Sequence, residues 1–368
     1  MITRDLRHAI AGAVATAGSN TGGHDRAADP GLRPTGTPGQ YAASVALSLG
    51  ANPRERAATL AATLGGERWI ARAEVTGPGY VTITVTPEAL AAVAENVIAA
   101  GPACVTSDAL AGVTVPAPPP GDPLTPDPGK EGTWEEARTA LATRLTARLA
   151  AAAGATIADP SHPPIGQRVD TDVARAVAFA GRDAVTFTLA RAIPGKSLVI
   201  DPQIIARHVP GNPAYAVRYA HARAASGVRW AVASSAADTI RSGETQPSPF
   251  VGPRPELVGS GGYGGLPPRE ATVLLDALSW LPERVATAAR RGRPDEFARY
   301  LEDLASVTVD VLSSASHMGS APGSNRAPGS DRLTLAMAAR TGLAAGLGLL
   351  EVTAPERLLA ETYRGAKL

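Results

Sequence analysis

The sequence predicts a multidomain α+β protein: a small N-terminal α+β domain, a short βαβ linker region, and a C-terminal all-α helical bundle. Three observations carry this. Helical and strand periodicities alternate over the first hundred residues, a proline-rich stretch breaks the pattern after residue 101, and from Asp172 onward the apolar spacing is helical almost throughout. The expected boundaries are 1–103, 104–171 and 172–368, and 368 residues suffice for two or three buried cores.

In the first segment, Asp5 to Ala17 and Gly39 to Leu49 space their apolar residues as helices do. Asn52-Pro53 offers a cap and a first-turn proline for a helix to about Leu64. Trp69 to Thr76 and Tyr80 to Thr86 read as strands joined at Gly77-Pro78-Gly79, because Val81, Ile83 and Val85 alternate with threonines. Pro87 then opens a helix to about Ala99.

The middle segment holds four prolines between Pro116 and Pro120, then Pro123, Pro126 and Pro128, which reads as a linker or irregular loop. An apolar run at Val113 to Val115 precedes it. A helix from Trp134 to Ala153 follows, with Thr133 as cap, Glu135 and Glu136 in its first turn and Gly154 at its end. Ala155 to Ala158 fits a short strand, so one β-loop-α-β unit is expected here. Helices are then expected at 172–192, 202–209, 213–236, 268–291, 294–317, 330–350 and from Pro355 to about Tyr363, with a Gly/Pro-rich, mobile interruption from Ser242 to Pro268.

Composition excludes more than it identifies. A single cysteine rules out an internal disulfide or a thiolate zinc site, and no basic start followed by an unbroken apolar run suggests export or a membrane span. The expectation is a soluble cytoplasmic protein without a membrane partner. Three lysines beside 32 arginines reflect coding bias. Residues 1–170 carry a net charge of −3 and residues 171–368 a net +4, an asymmetry too small to indicate nucleic-acid binding by itself.

Two nucleotide-binding spellings fail on context. Ala190 to Ser197 fits a relaxed phosphate-loop pattern, but a helix precedes it and extended chain follows, the reverse of what points amides at phosphates. Gly259 to Gly264 spells a dinucleotide pattern without a βαβ frame. The six histidines (His8, His24, His162, His208, His221, His317) show no metal-ligand spacing, and no serine sits in a nucleophile elbow. No catalytic centre, cofactor or metal is therefore expected.

One stretch is more specific. Asn212 to Arg223 opens a helix with Asn and Pro and places Tyr215, Arg218, Tyr219 and Arg223 three and four apart, with His221 on a neighbouring face. Aromatic rings beside guanidinium groups suit unpaired bases and phosphates, although tyrosines in a core and arginines in water explain the same residues.

This stretch, Asn-Pro-Ala-Tyr-Ala-Val-Arg-Tyr-Ala-His-Ala-Arg, resembles a segment of arginyl-tRNA synthetases. Gly181 to Phe187 resembles the Asp-Ala-Leu-Arg signature of their helical anticodon-binding domain, and Arg299 to Ala305 and Val352 to Arg357 match later segments in order. Gly39-Gln40-Tyr41-Ala42, Asn52 to Glu55 and Gly77 to Val81 resemble the N-terminal additional domain, which in that family contacts the tRNA D-loop. The likeness covers roughly 1–100 and 175–360. Between them, where a class I synthetase carries its large catalytic domain, only about 70 residues lie, and neither the His-Ile-Gly-His-type nor the Lys-Met-Ser-Lys-type signature is present, so the resemblance implies that the βαβ linker region at 104–171 is a vestigial remnant of that domain.

The resemblance implies a non-catalytic binder of tRNA or a tRNA-like RNA, holding the anticodon stem-loop with the helical domain and the D-loop with the N-terminal module. The implied contacts are Tyr80, Thr82, Tyr215, Arg218, Tyr219, His221 and Arg223, with Arg290, Arg291, Arg293, Arg357 and Arg364 as further basic candidates. Arg218 stands where the family has Gln, Thr186 where it has Arg, and Thr82 where it has Asn, so base selectivity is expected to differ. Two other expectations stay open: an arginine–tRNA ligase with a reduced centre, and a scaffold that docks to a tRNA-dependent enzyme.

Overall fold

A computed structural model of the chain describes residues 2–18, 29–49, 51–124, 133–159, 171–242, 269–314 and 330–358. The N-terminal module runs α1 (Ile2–Gly18), β1 (Arg33–Pro34), β2 (Gln40–Ala43), α2 (Pro53–Leu64), β3 (Ile70–Thr76), β4 (Tyr80–Val85) and α3 (Pro87–Ala100). Its sheet is antiparallel in the order β1-β2-β4-β3, with Tyr41 opposite Ile83 and Thr82 opposite Glu74. Tyr41, Ala43, Val81, Ile83 and Val85 are buried on the inner face, while Tyr80, Thr82 and Thr84 line the other.

The helix expected over Gly39 to Leu49 is instead β2 followed by a 3-10 turn at Val45–Leu47. Pairing with β4 overrides the helical spacing of the alanines, and Gly39 enters the strand at φ +75, donating its N–H to Asp276 at 2.9 Å. Asn52 precedes α2 as expected but is left-handed (φ 60), and its side chain turns to Glu55 rather than capping the helix.

The middle segment forms the anticipated unit. β5 (Thr114–Val115) and β6 (Thr156–Ile157) are parallel, and α4 (Trp134–Ala152) joins them. Thr133 and Glu136 make a reciprocal capping box at 3.2 and 2.8 Å. At the far end Gly154 (φ +90) lies so close to Ser107 and Asp108 that a Cβ would stand 3.0 Å from their backbone. This approach lets the amides of Ser107 and Leu110 bind the last carbonyls of α4, from Ala152 and Ala153.

The helical part comprises α5 (Thr171–Ala180), α6 (Arg182–Arg191), α7 (Pro202–Ile205), α8 (Pro213–Ser242), α9 (Arg269–Ser279), α10 (Leu281–Arg291), α11 (Pro294–Ser314) and α12 (Ser330–Leu349). Two expected helices are broken, one is shortened, α8 runs on beyond the expected 236 to Ser242, and the last expected helix is not helical where it is described. Gly181 at φ +86 divides 172–192, α7 ends at Ile205, and residues 351–358 are non-helical, with the rest of the last expected helix outside the described residues. The interruption expected at 242–268 lies outside them too, but for Ser242, the last residue of α8.

The remaining break matters most. Pro282 has no N–H for the carbonyl four residues back, so the helix expected over 268–291 parts at Trp280 into α9 and α10. The carbonyls around that break find other donors. Ser279 Oγ binds Asp276 O at 2.7 Å, Tyr300 OH binds Ala277 O, and Thr3 Oγ1 of α1 binds Ser279 O at 2.6 Å. Tyr41 of β2 lies against Trp280, ring centroids 5.2 Å apart, with its OH 2.8 Å from Ser279 Oγ. The Arg284 guanidinium sits over both Trp280 and Tyr300, at 5.4 and 5.6 Å. Burial raises the pKa of Tyr41 and of Asp276, the latter against the opposing pull of the Gly39 amide.

This knot seats the module on the helical part. Helix α3 packs against both α9 and α12, α4 against α10 and α6, and a continuous apolar core runs from Leu6 and Ile83 through Trp280 to Phe297 and Leu343. Among the described residues, the stretch Pro87–Val105 alone is long and apolar enough to cross a membrane, and Leu90, Val93, Ala94 and Val97 of that stretch are buried in the core.

Tyr41→Phe is expected to cost about 1 kcal/mol in chemical denaturation and Ser279→Ala about 1–3 kcal/mol, because the latter strips the buried phenol of a partner. The double variant should fall short of the sum by at least about 0.5 kcal/mol. Strict additivity would mean that the bond is not made in solution.

Candidate nucleic-acid interface

Asn212 is buried and spends its amide on the carbonyls of Ile205 and Arg207, each at 2.7 Å, rather than on capping α8. That tie folds the end of α7 back over the start of α8, bringing the exposed His208 ring parallel to Tyr215 (5.4 Å, 15°). Tyr215 in turn stacks on Tyr219 (5.8 Å, 21°), giving a ladder of three rings.

The ladder continues along the helix. At 3.6 residues per turn Tyr215, Tyr219, Arg223, Ser226 and Trp230 share roughly a quarter of the circumference, spanning about 22 Å of axis. Trp230 is 74% exposed, whereas Ala214, Val217, Ala220 and Ala224 fill the opposite arc against the core. Helix α8 packs that arc on α11 and α12. His208 and Trp230 were not anticipated. Trp230 was legible in principle, since an aromatic eleven residues beyond Tyr219 returns to the same face.

Arg223 donates to Ser313 Oγ at 2.9 Å, and Arg332 donates to Leu312 O at 3.1 Å, so two guanidinium groups converge on the C-terminal end of α11. Arg223 has no carboxylate partner among the described residues. Arg218 points elsewhere. Its Nη2 lies 3.3 Å from Asp183 Oδ2, and Asp183 also accepts from Thr353, by its amide at 3.1 Å and by its hydroxyl.

His221 is 1% exposed and turned inward, Nδ1 being 2.9 Å from Pro355 O. Desolvation holds its pKa below the usual histidine value, against the smaller opposing effect of that carbonyl. The stretch from Gly181 to Phe187 is structural: Ala184, Val185, Thr186 and Phe187 are buried, and Arg182 makes a bidentate pair with Asp122 at 2.7 Å.

The other candidates do not join the aromatic face. Arg290 pairs with Asp29 at 2.7 Å, Arg291 with Glu296 at 3.0 Å and Arg293 with Asp295 at 2.7 and 2.8 Å, on the side of the fold where α1 lies. Arg357 is exposed beside Glu356, which pairs with Arg340 at 2.6 Å, and Arg364 lies outside the described residues. In the module, Tyr80 is half-buried at the head of β4, and Thr82 shares a hydroxyl contact with Thr76 at 3.0 Å across the sheet. Both open onto the polar face.

The loop spelled like a phosphate cradle is not one. Arg138, buried on α4, donates to the carbonyls of Ile193 and Lys196 at 3.0 and 2.7 Å. Among the described residues no group of three His, Cys, Asp or Glu side chains is placed to hold a metal ion.

Residues 217–358 match the DALR anticodon binding domain family. The arginine–tRNA ligase of Frankia alni is 32% identical over 178 residues, 48% of this chain and 29% of that protein. That of Kineococcus radiotolerans is 33% identical over 182 residues, 50% and 29%. The chain thus spans about three tenths of the length of the curated relatives it matches. Thermus thermophilus arginyl-tRNA synthetase shares the fold, with a TM-score of 0.54 at 15% identity over 97% of this chain and 100% of that one.

The inward histidine makes stability depend on pH. Its folded pKa lies below the unfolded value of about 6.5, so the unfolded chain binds the extra proton and stability is lost as pH falls below that value, with a slope approaching 1.4 kcal/mol per unit. His221→Asn, which keeps a donor for Pro355 O, should remove this component from denaturation midpoints measured between pH 7 and pH 5. An unchanged slope would place the titrating group elsewhere.

Proposed function

We propose that this chain is a non-catalytic, cytoplasmic tRNA-binding protein that holds the anticodon arm on the open face of α8 and the D-loop on the outer sheet face of the module. The observation that carries it is the half-exposed ladder His208–Tyr215–Tyr219, continued by Arg223 and Trp230, on a helix whose domain type is an anticodon-binding one. Unpaired bases stack on such rings whatever their identity, and guanidinium groups along the same face meet phosphates.

The chemistry of adenylate formation supports the non-catalytic half of this reading. Forming an adenylate requires preorganised donors and cations around ATP, an amino acid and the tRNA end. Among the described residues of 104–171 there is one pair of two-residue parallel strands, the sequence there carries neither nucleotide signature, and the arginines of α4 are engaged with protein. Arg138 holds the 193–196 loop, Arg144 binds Glu351 at 2.6 Å, and Arg148 binds Gly348 O at 3.0 Å.

Polar recognition differs from that expected of the relatives at two positions. Arg218 is tied to Asp183, so the positive charge gained at this position is largely neutralised at home. Arg223 is the stronger candidate for phosphate. Thr186 closes into the core where the family has an arginine, removing a cation from the base of the same helix pair.

A mobility-shift titration with total tRNA should give micromolar or tighter binding that weakens steeply with salt. Tyr219→Ala and Trp230→Ala should each lower affinity by about 1–3 kcal/mol, the worth of one stacked base. Arg223→Ala should chiefly flatten the salt dependence. Absence of any shift at low salt would overturn the reading, and arginine-dependent ATP–pyrophosphate exchange would overturn its non-catalytic half.

A further inference from the structure

Resting on the tRNA reading above, we infer that the module and the helical part form one rigid calliper, so that the RNA is selected by the span between its elbow and its anticodon loop. Two binding faces on one chain gain avidity only when both engage together, and a rigid connection makes that gain depend on distance.

The connection contains no joint among the described residues. On the module side, Tyr41 is wholly buried opposite Ile83 of β4, and Tyr80 begins the same strand three residues earlier. On the other side Tyr41 meets Trp280 and Ser279, and Gly39 meets Asp276 at 2.9 Å. Tyr300, bound to Ala277 O and packed on Arg284, carries the contact onto α11. Thirteen residues along that helix, about 20 Å, Ser313 holds Arg223 of α8. The whole route is strand, buried knot and helix.

Two further features oppose a hinge. Helix α3 is held between α9 and α12 within the continuous core, so rotation of the module would expose apolar surface. Arg7 pairs with the buried Glu283 at 2.5 Å and the more exposed Arg290 with Asp29 at 2.7 Å, so that each side of the seam contributes one cation. Arg290, one of the RNA contacts proposed from the sequence, thus serves to fix the angle between the two faces.

The test uses the full chain and a transcript of the tRNA that it binds most tightly out of total tRNA, its anticodon-arm hairpin alone, and transcripts whose anticodon stem is lengthened by one and by two base pairs. The unaltered tRNA should bind roughly tenfold to a hundredfold more tightly than the hairpin, and the lengthened transcripts should fall to the hairpin's level. Lengthened transcripts that bind as well as the parent, or a hairpin that equals the whole tRNA, would overturn the calliper while leaving tRNA binding intact. Failure of all four RNAs to bind would instead remove the reading on which it rests.

Discussion

The arrangement depends on a helix that cannot continue. Pro282 withholds one amide, the helix parts at Trp280, and the carbonyls near the break are satisfied from outside it, by Thr3 of the first helix and Tyr300 of a later one. Ser279 sits between these partners and Tyr41. A local defect in one helix is thus the socket for a module that begins some 270 residues earlier in the chain. The hydroxyls of Thr3, Tyr41, Ser279 and Tyr300 each find a partner in this buried setting, which ties the orientation of the module to hydrogen-bond geometry as well as to apolar contact.

Once the socket is fixed, the two faces proposed above to meet RNA follow from periodicity. In the sheet, period two sends Val81, Ile83 and Val85 inward and Tyr80, Thr82 and Thr84 outward. In α8, period 3.6 buries Val217, Ala220 and Ala224 and leaves the tyrosines and Trp230 at the surface. Neither face needs the segment that separates them in sequence to supply chemistry. That segment supplies contacts: its helix touches the C-terminal end of α12, Glu351 just beyond it and the 193–196 loop through Arg148, Arg144 and Arg138.

Much of this was legible in the sequence, and the exceptions have physical causes. The hairpin at Gly77-Pro78-Gly79, the capped helix after Thr133 and the short parallel pair around it were read from local chemistry, because caps, turns and alternation are local signals. Gly39 to Leu49 was misread since its strand exists only through pairing with β4 and a glycine amide held by Asp276, both distant in sequence. In the aromatic stretch, spacing placed Tyr215 and Tyr219 together but could not reveal that Asp183 faces Arg218 or that Pro355 waits for His221. His208 joined the ladder only through the amide of Asn212, a contact no periodicity encodes.

The small parallel unit carries a last implication. Basic side chains on a helix between two such strands are what a nucleotide fold would offer to phosphate, yet here they are occupied by backbone carbonyls and by Glu351. A triphosphate arriving there would have to evict parts of the protein before meeting a single free guanidinium of that set. Substitutions at Arg138, Arg144 or Arg148 would therefore register as loosened architecture, in the way mortar fails, well before they registered as a weakened ligand.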